Sequence, residues 1–202
     1  MIEVCELCKY YGDKILFENM SFKIESGEFV CFSGESGRGK TTMLNMLGMI
    51  EQPSSGKILI DGREILSRRE KMDFFRYKVG FVFQNFALVE DKTVEQNMQF
   101  IKKAYRTDIS IEESLEMVGM KEKLQAKIYT LSGGEQQRVA LARLFIKKCD
   151  IVLADEPTGS LDAANVDKVW RILRMLHNSG KTIVLVSHDK DIQKKSDRLI
   201  EL

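Results

Sequence analysis

The sequence predicts an α/β fold with a mostly parallel core sheet, and three observations predict it. The first is Gly34-Glu35-Ser36-Gly37-Arg38-Gly39-Lys40-Thr41, which fits the phosphate-binding template G-x-x-x-x-G-K-[ST] at every fixed position. It stands between an apolar run, residues 29–32, and a helical-looking one, residues 42–49. The second is a pair of continuous apolar runs, residues 151–154 and 182–186, the pattern of parallel strands covered on both faces. The third is the helical segment 162–176 between them, which gives the strand–helix–strand alternation of a parallel sheet.

Taken in order, residues 2–7, 15–24 and 28–32 read as strands, the last running into the glycine-rich loop. Residues 57–60 form a further β piece turned by Asp61-Gly62, and 79–83 a short buried strand ending at Gln84. From about 93 to 124 the pattern becomes helical, with Val94, Met98 and Ile101, then Ile111, Leu115 and Val118, on apolar stripes; Gly119 is a helix stop. This helical insert between Gln84 and Leu131 interrupts the α/β alternation. Residues 132–148 form another helix, Asp162 caps the next, and the chain reaches Leu202 in what reads as a late strand.

At 202 residues the chain can bury a full core as one domain with room for a sub-domain. Its 31 basic and 30 acidic side chains leave a net charge of +1, so no global field attracts nucleic acid. Arg68-Arg69 and Lys194-Lys195 read as solvated faces. No apolar run approaches the roughly 20 residues that span a bilayer, and the opening is strand-like rather than a signal peptide, so a soluble intracellular protein is expected. Cys5 and Cys8 form a C-x-x-C without a second pair or histidine at zinc-site spacing; they read as reduced thiols in a first strand, with zinc or redox chemistry the alternative.

The chemistry concentrates at three places. Glycines let the loop curl so that backbone N–H groups point inward at phosphate oxygens, and the following helix adds free amides and the positive end of its dipole. Lys40 would reach the β- and γ-phosphates and the Thr41 hydroxyl would hold Mg²⁺, which makes Gly34, Ser36, Gly37, Gly39, Lys40, Thr41 and Thr42 the candidate phosphate-binding set. Asp155 and Glu156 end an apolar strand, where ligands sit in such sheets. Asp155 suits a Mg²⁺ shell, directly or through water, and Glu156 could orient or deprotonate an attacking water. His188 has the same strand-end placement and could donate to a γ-phosphate oxygen, whereas His177 lies at a helix end where capping is the expected role.

Leu131-Ser132-Gly133-Gly134-Glu135-Gln136-Gln137-Arg138 lies between the glycine-rich loop and the acid pair, and it resembles the signature of ATP-binding cassette (ABC) ATPases. The resemblance covers essentially the whole chain. It implies a P-loop NTPase fold with an N-terminal antiparallel β subdomain, a core of residues 1–87 and 132–202, and a helical subdomain at about 88–131. ATP and Mg²⁺ are the implied ligands. Tyr11 looks like the aromatic that stacks on adenine, with Tyr10 the alternative. Gln84 matches the glutamine that touches Mg²⁺ and the attacking water, Ser160-Leu161-Asp162 the D-loop, and His188 the switch histidine. Arg38 and Thr41 stand where serine is commoner, and Thr41 keeps the hydroxyl.

In that family two cassettes dimerise head to tail, so Ser132, Gly133 and Gly134 of one copy would close on the ATP of the other. Residues 79–86 and 153–162 look most like the subgroup of lipoprotein-releasing, macrolide and antimicrobial-peptide or bacteriocin exporter ATPases. The expected partners are a second copy and a separate membrane permease, docked near Gln84, Phe86 and the helical insert, at the inner face of the membrane. The rival readings are a soluble ABC ATPase working on DNA or ribosomes, and a nucleotide-gated module that does not hydrolyse.

Overall fold

The computed structural model describes residues 1–159 and 161–202; Ser160, the first D-loop position, lies outside the described residues. Two sheets organise the chain. β1 (Ile2–Tyr11) and β2 (Lys14–Ile24) pair antiparallel through a tight turn at Gly12-Asp13. β4 (Ser55–Ile60) pairs antiparallel with β1, and the two-residue β5 (Arg63–Glu64) completes the order β2-β1-β4-β5. The second sheet joins β3 (Phe29–Ser33), β6 (Val79–Val82), β7 (Ile151–Asp155), β8 (Thr182–Val186) and β9 (Arg198–Glu201) in the order β6-β7-β8-β3-β9, with every pairing parallel.

The apolar runs of the parallel strands divide by period two between two cores. Phe29, Cys31, Val152, Ala154, Ile183 and Leu185 face one cluster, while Val30, Phe32, Ile151, Leu153, Val184 and Val186 face the other. In the second cluster α1 (Lys40–Leu47) buries Met43, Leu44, Met46 and Leu47 among side chains of both sheets. The first cluster is covered by α5 (Gly133–Ile146) and α6 (Ala163–Asn178), with α3 (Val94–Gln99) and α4 (Ile111–Met117) beside them.

The stretch expected as helix over 93–124 is shorter and broken. α3 and α4 are each started by a capping box, Thr93 with Gln96 and Ser110 with Glu113, and a 3₁₀ turn at Lys103–Tyr105 separates them. Gly119, at φ +69°, follows the end of α4 as expected. Two helices were not read from the sequence: α2 (Arg68–Tyr77), which buries only Phe74, and α7 (Lys190–Lys195), which buries only Ile192. The first helix begins at Lys40, inside the phosphate loop, and not at residue 42. His177 does not cap its own helix: its Nε2 lies 2.8 Å from the Gly27 carbonyl, so the ring ties α6 to the turn before β3. Among the described residues no helix is long and apolar enough to cross a membrane.

Candidate active site

β3 delivers the chain into a loop whose Gly37 and Gly39 take left-handed backbone at φ +80° and +87°. Gly39 is the N-cap of α1 and has no side chain to occupy the first amides, which leaves them for a ligand. Next to it Lys40 is 5 % exposed. A buried ammonium needs hydrogen-bond partners, and Lys40 Nζ donates to the carbonyls of Gly34 at 2.9 Å and Glu35 at 2.8 Å. Two of its three N–H groups are used this way, and the cation stays fixed beneath the loop.

The acids arrive on β7. The Thr41 hydroxyl donates to Asp155 Oδ1 at 3.1 Å, so helix start and strand end bring two oxygen donors together. Burial pushes the Asp155 carboxyl above its ordinary range, and the Thr41 hydrogen bond and the Lys40 charge offset part of that. Glu156 turns out of the strand in left-handed backbone, φ +45°, held by its N–H to the Val186 carbonyl at 3.0 Å. Non-glycine residues in that region are uncommon, and here the turn aims the carboxylate into the cleft. Burial also raises the Glu156 carboxyl, with the neighbouring His188 opposing it. Among the described residues Glu156 Oε1 is buried without a hydrogen bond, and it lies 3.4 Å from His188 Nε2.

These groups share an open cleft of about 590 Å³. Its walls include Tyr11, Ser36, Gly37, Gly39, Lys40, Thr41, Thr42, Gln84, Glu156 and His188. Tyr11, not Tyr10, stands at its edge. Six of the seven phosphate-loop candidates (all but Gly34), the exposed Gln84, Glu156 and His188 therefore stand around one cleft. Lys14, Leu16, Gly159 and Val186 also line the cleft and were not singled out from the sequence; Lys14 is the cross-strand partner of Tyr11, a signal that the hairpin register carries.

Six predicted residues do not line this cleft. Two lie beside it: the Gly34 carbonyl accepts from Lys40, and Asp155 accepts from Thr41. The other four are Ser132, Gly133, Gly134 and Asp162. Ser132 caps α5 in a reciprocal box with Glu135. Asp162 caps α6, accepting from the Asn165 N–H at 2.9 Å. Gly134 is packed so closely that an added Cβ would stand 2.6 Å from the Asn165 side chain, and Asn165 in turn accepts from Arg138 at 2.9 Å. Gly133 differs. Among the described residues outside its own helix backbone, a Cβ there would meet only the Phe86 ring, at 3.8 Å, so none of them requires glycine. Arg143, further along α5, was missed by sequence reading. Its guanidinium donates to the carbonyls of Ala87 at 2.9 Å and Phe86 at 3.0 Å, two consecutive residues in left-handed backbone just after Gln84.

A buried lysine under a glycine loop, a Thr–Asp oxygen pair and a strand-end glutamate beside a histidine make a site for binding and cleaving a nucleoside triphosphate. Comparison with known proteins agrees. The family model described as ABC transporter matches residues 17–159, and the chain belongs to that family as an ATP-binding cassette that hydrolyses ATP. It is 38 % identical across its whole length to the macrolide export ATP-binding/permease protein MacB of Mannheimia succiniciproducens, of which it spans 33 %. It is 38 % identical to an uncharacterised ABC transporter ATP-binding protein of Methanocaldococcus jannaschii, covering 95 % of that protein. Among solved structures, the dimeric bacterial ABC transporter cassette MJ0796 superposes on all of the chain with a TM-score of 0.86 at 37 % identity, covering 94 % of that chain. The same cassette in a post-hydrolysis dimer with ADP and phosphate gives 0.85 at 35 % identity.

Proposed function

We propose that this chain is the energy-coupling subunit of a membrane exporter and works as a head-to-tail pair of copies. Tyr11 stacks on adenine, and the loop amides with Lys40 hold the phosphates. Glu156 orients and deprotonates the attacking water; its raised proton affinity suits that task. Gln84 and His188 contact the water and the γ-phosphate from the cleft walls. Thr41 and Asp155, already 3.1 Å apart, are the oxygen donors that would hold Mg²⁺, with Gln84 beside them. Bound there, Mg²⁺ supplies neutralisation of phosphate charge.

One observation supports the paired arrangement: Ser132 and Gly133 lie outside the cleft of their own copy, and among the described residues no side chain of that copy requires glycine at 133. The open side of a bound triphosphate would receive their hydroxyl and amides from a second copy. ATP then forms part of the interface, so binding favours closure and hydrolysis releases it. Residues 88–131 read as a helical subdomain on a core of 1–87 and 132–202. Its junction near Gln84 and Phe86 is the docking site for a permease, which would hold the cassette at the inner face of the membrane. The likeness to MacB supports export, with peptide, bacteriocin or lipoprotein as the cargo class.

The test is purification of the tagged chain from detergent-solubilised membranes. A permease that co-purifies and raises its ATPase rate is the expected result. Recovery with ribosomes or DNA, and no membrane protein, would replace this reading with the soluble one.

A further inference from the structure

We infer that Lys9 and Glu51 are positioning residues for the nucleotide base: a largely buried ion pair, anchored to the helix that carries the phosphate loop, holds the Tyr11 ring at the edge of the cleft. The inference rests on the reading of Tyr11 as the adenine platform.

Tyr11 is the last residue of β1, at a two-residue turn, and is 49 % exposed. An aromatic side chain so placed would sample several rotamers, and ordering it would weaken every binding event. Two contacts restrict it here. Its hydroxyl donates to Glu51 Oε1, and the Lys9 ammonium lies over its ring, 4.9 Å from the centroid. With one face engaged by Lys9, the ring has a single face left for a base.

Lys9 and Glu51 are in turn well fixed. Their side chains are only 11 % and 25 % exposed, with Nζ and Oε1 2.7 Å apart, and Lys9 also donates to the Gln52 carbonyl at 2.8 Å. Burial alone would raise the Glu51 carboxyl, but the hydrogen bonds from Lys9 and Tyr11 outweigh it and hold the group ionised. Glu51 belongs to the turn that ends α1: its N–H and that of Ile50 both donate to the Asn45 carbonyl, at 3.2 and 2.9 Å. α1 begins at Lys40. One short helix therefore carries the phosphate cradle at its start and, just past its end, the carboxylate that grips the base platform. The hairpin bearing Tyr11 belongs to the other sheet, and this pair ties its tip to the turn that follows α1.

A purely structural pair would affect all ligands of the cleft alike, whereas a base-positioning pair acts only on ligands that carry a base. The experiment measures the affinity of the full chain for Mg-ATP and for Mg-tripolyphosphate by calorimetry and compares their ratio. Tyr11→Ala should lower the preference for ATP about tenfold, the usual effect of losing one stacked aromatic. Glu51→Gln and Lys9→Met should each lower it about three- to tenfold and leave tripolyphosphate binding as in the parent. Adding Glu51→Gln to Tyr11→Ala should change nothing further. Should Tyr11→Ala lower the ratio while neither Glu51→Gln nor Lys9→Met does, the inference is wrong and the adenine platform stands. Equal weakening of both ligands by Glu51→Gln would also overturn it, making the pair a fold staple. A ratio untouched by Tyr11→Ala removes the platform itself, and the inference with it.

Discussion

His188 Nε2 and Glu156 Oε1 lie 3.4 Å apart across the carboxyl ends of β8 and β7. The register of the two strands contributes to this: Asp155 pairs with Val186 at the strand ends, so Glu156, one residue further, and His188, two residues further, leave the sheet at the same edge. Among the described residues, the Glu156 oxygen on that side is buried and has no hydrogen-bond partner. Glu156→Gln keeps the shape and removes the base. The variant should retain ATP affinity, lose turnover by on the order of a hundredfold or more, and accumulate as an ATP-bound dimer on size-exclusion chromatography. Wild-type hydrolysis by this variant would remove Glu156 from its role.

The same residue makes the fold pH-sensitive. Burial raises the Glu156 carboxyl in the folded chain, so the folded state binds its proton more tightly than the unfolded chain does. Stability from this group is therefore present at low pH and falls as pH rises from the ordinary carboxylate range through the raised value. Glu156→Gln carries no such charge. Its melting temperature at pH 8 should exceed that of the parent by about 2–4 °C for each kcal/mol relieved, and the difference should close near pH 4. Equal melting temperatures at pH 8 would contradict the burial argument.

Lys40 offers a cleaner measure of the phosphate loop. Lys40→Ala removes a cation held on the Gly34 and Glu35 carbonyls, and with it one charged contact to the phosphates. ATP affinity by calorimetry should fall on the order of ten- to a hundredfold, with the circular dichroism spectrum preserved. An unchanged affinity would count against the loop as the phosphate site.

Arg143 links the signature helix to the turn after Gln84 through two carbonyls in left-handed backbone. Burial lowers its guanidinium to about 10, so it remains a cation at neutral pH. Arg143→Ala should destabilise the chain by about 2 kcal/mol and speed amide exchange over residues 83–90, with a lower ATPase rate because Gln84 is no longer steadied. Unaltered exchange in that segment would show that the clamp does not hold it.

How far the sequence could be read follows from how local each signal is. The phosphate loop, Asp155-Glu156 and the signature are contiguous, so each could be located in the sequence, as could the Asp162 cap and the two-faced strands. α2 escaped because it is short and mostly charged and buries only Phe74, although the capping box of Ser67 with Glu70 was there to be seen. The choice between Tyr10 and Tyr11 needed the register of a hairpin with several irregularities. The grip of Arg143 on Phe86 and Ala87 joins side chain to backbone across 56 or 57 residues, and the pairing of Lys9 with Glu51 spans 42 residues in the same way. Neither leaves a pattern in the one-dimensional order of residue types.

If each copy completes its twin's site, the backbone at Gly133 has to meet the nucleotide of the other copy. Gly133→Ala fits within one copy, since among the described residues outside its own helix backbone the nearest atom to the new methyl carbon is 3.8 Å away, and alanine at a helix start should if anything stabilise the fold. Light scattering with saturating Mg-ATP, in a Glu156→Gln background, should find Glu156→Gln as a dimer and the Glu156→Gln, Gly133→Ala double variant as an ATP-bound monomer. A double variant that still dimerises on ATP as tightly as Glu156→Gln alone would contradict the shared site.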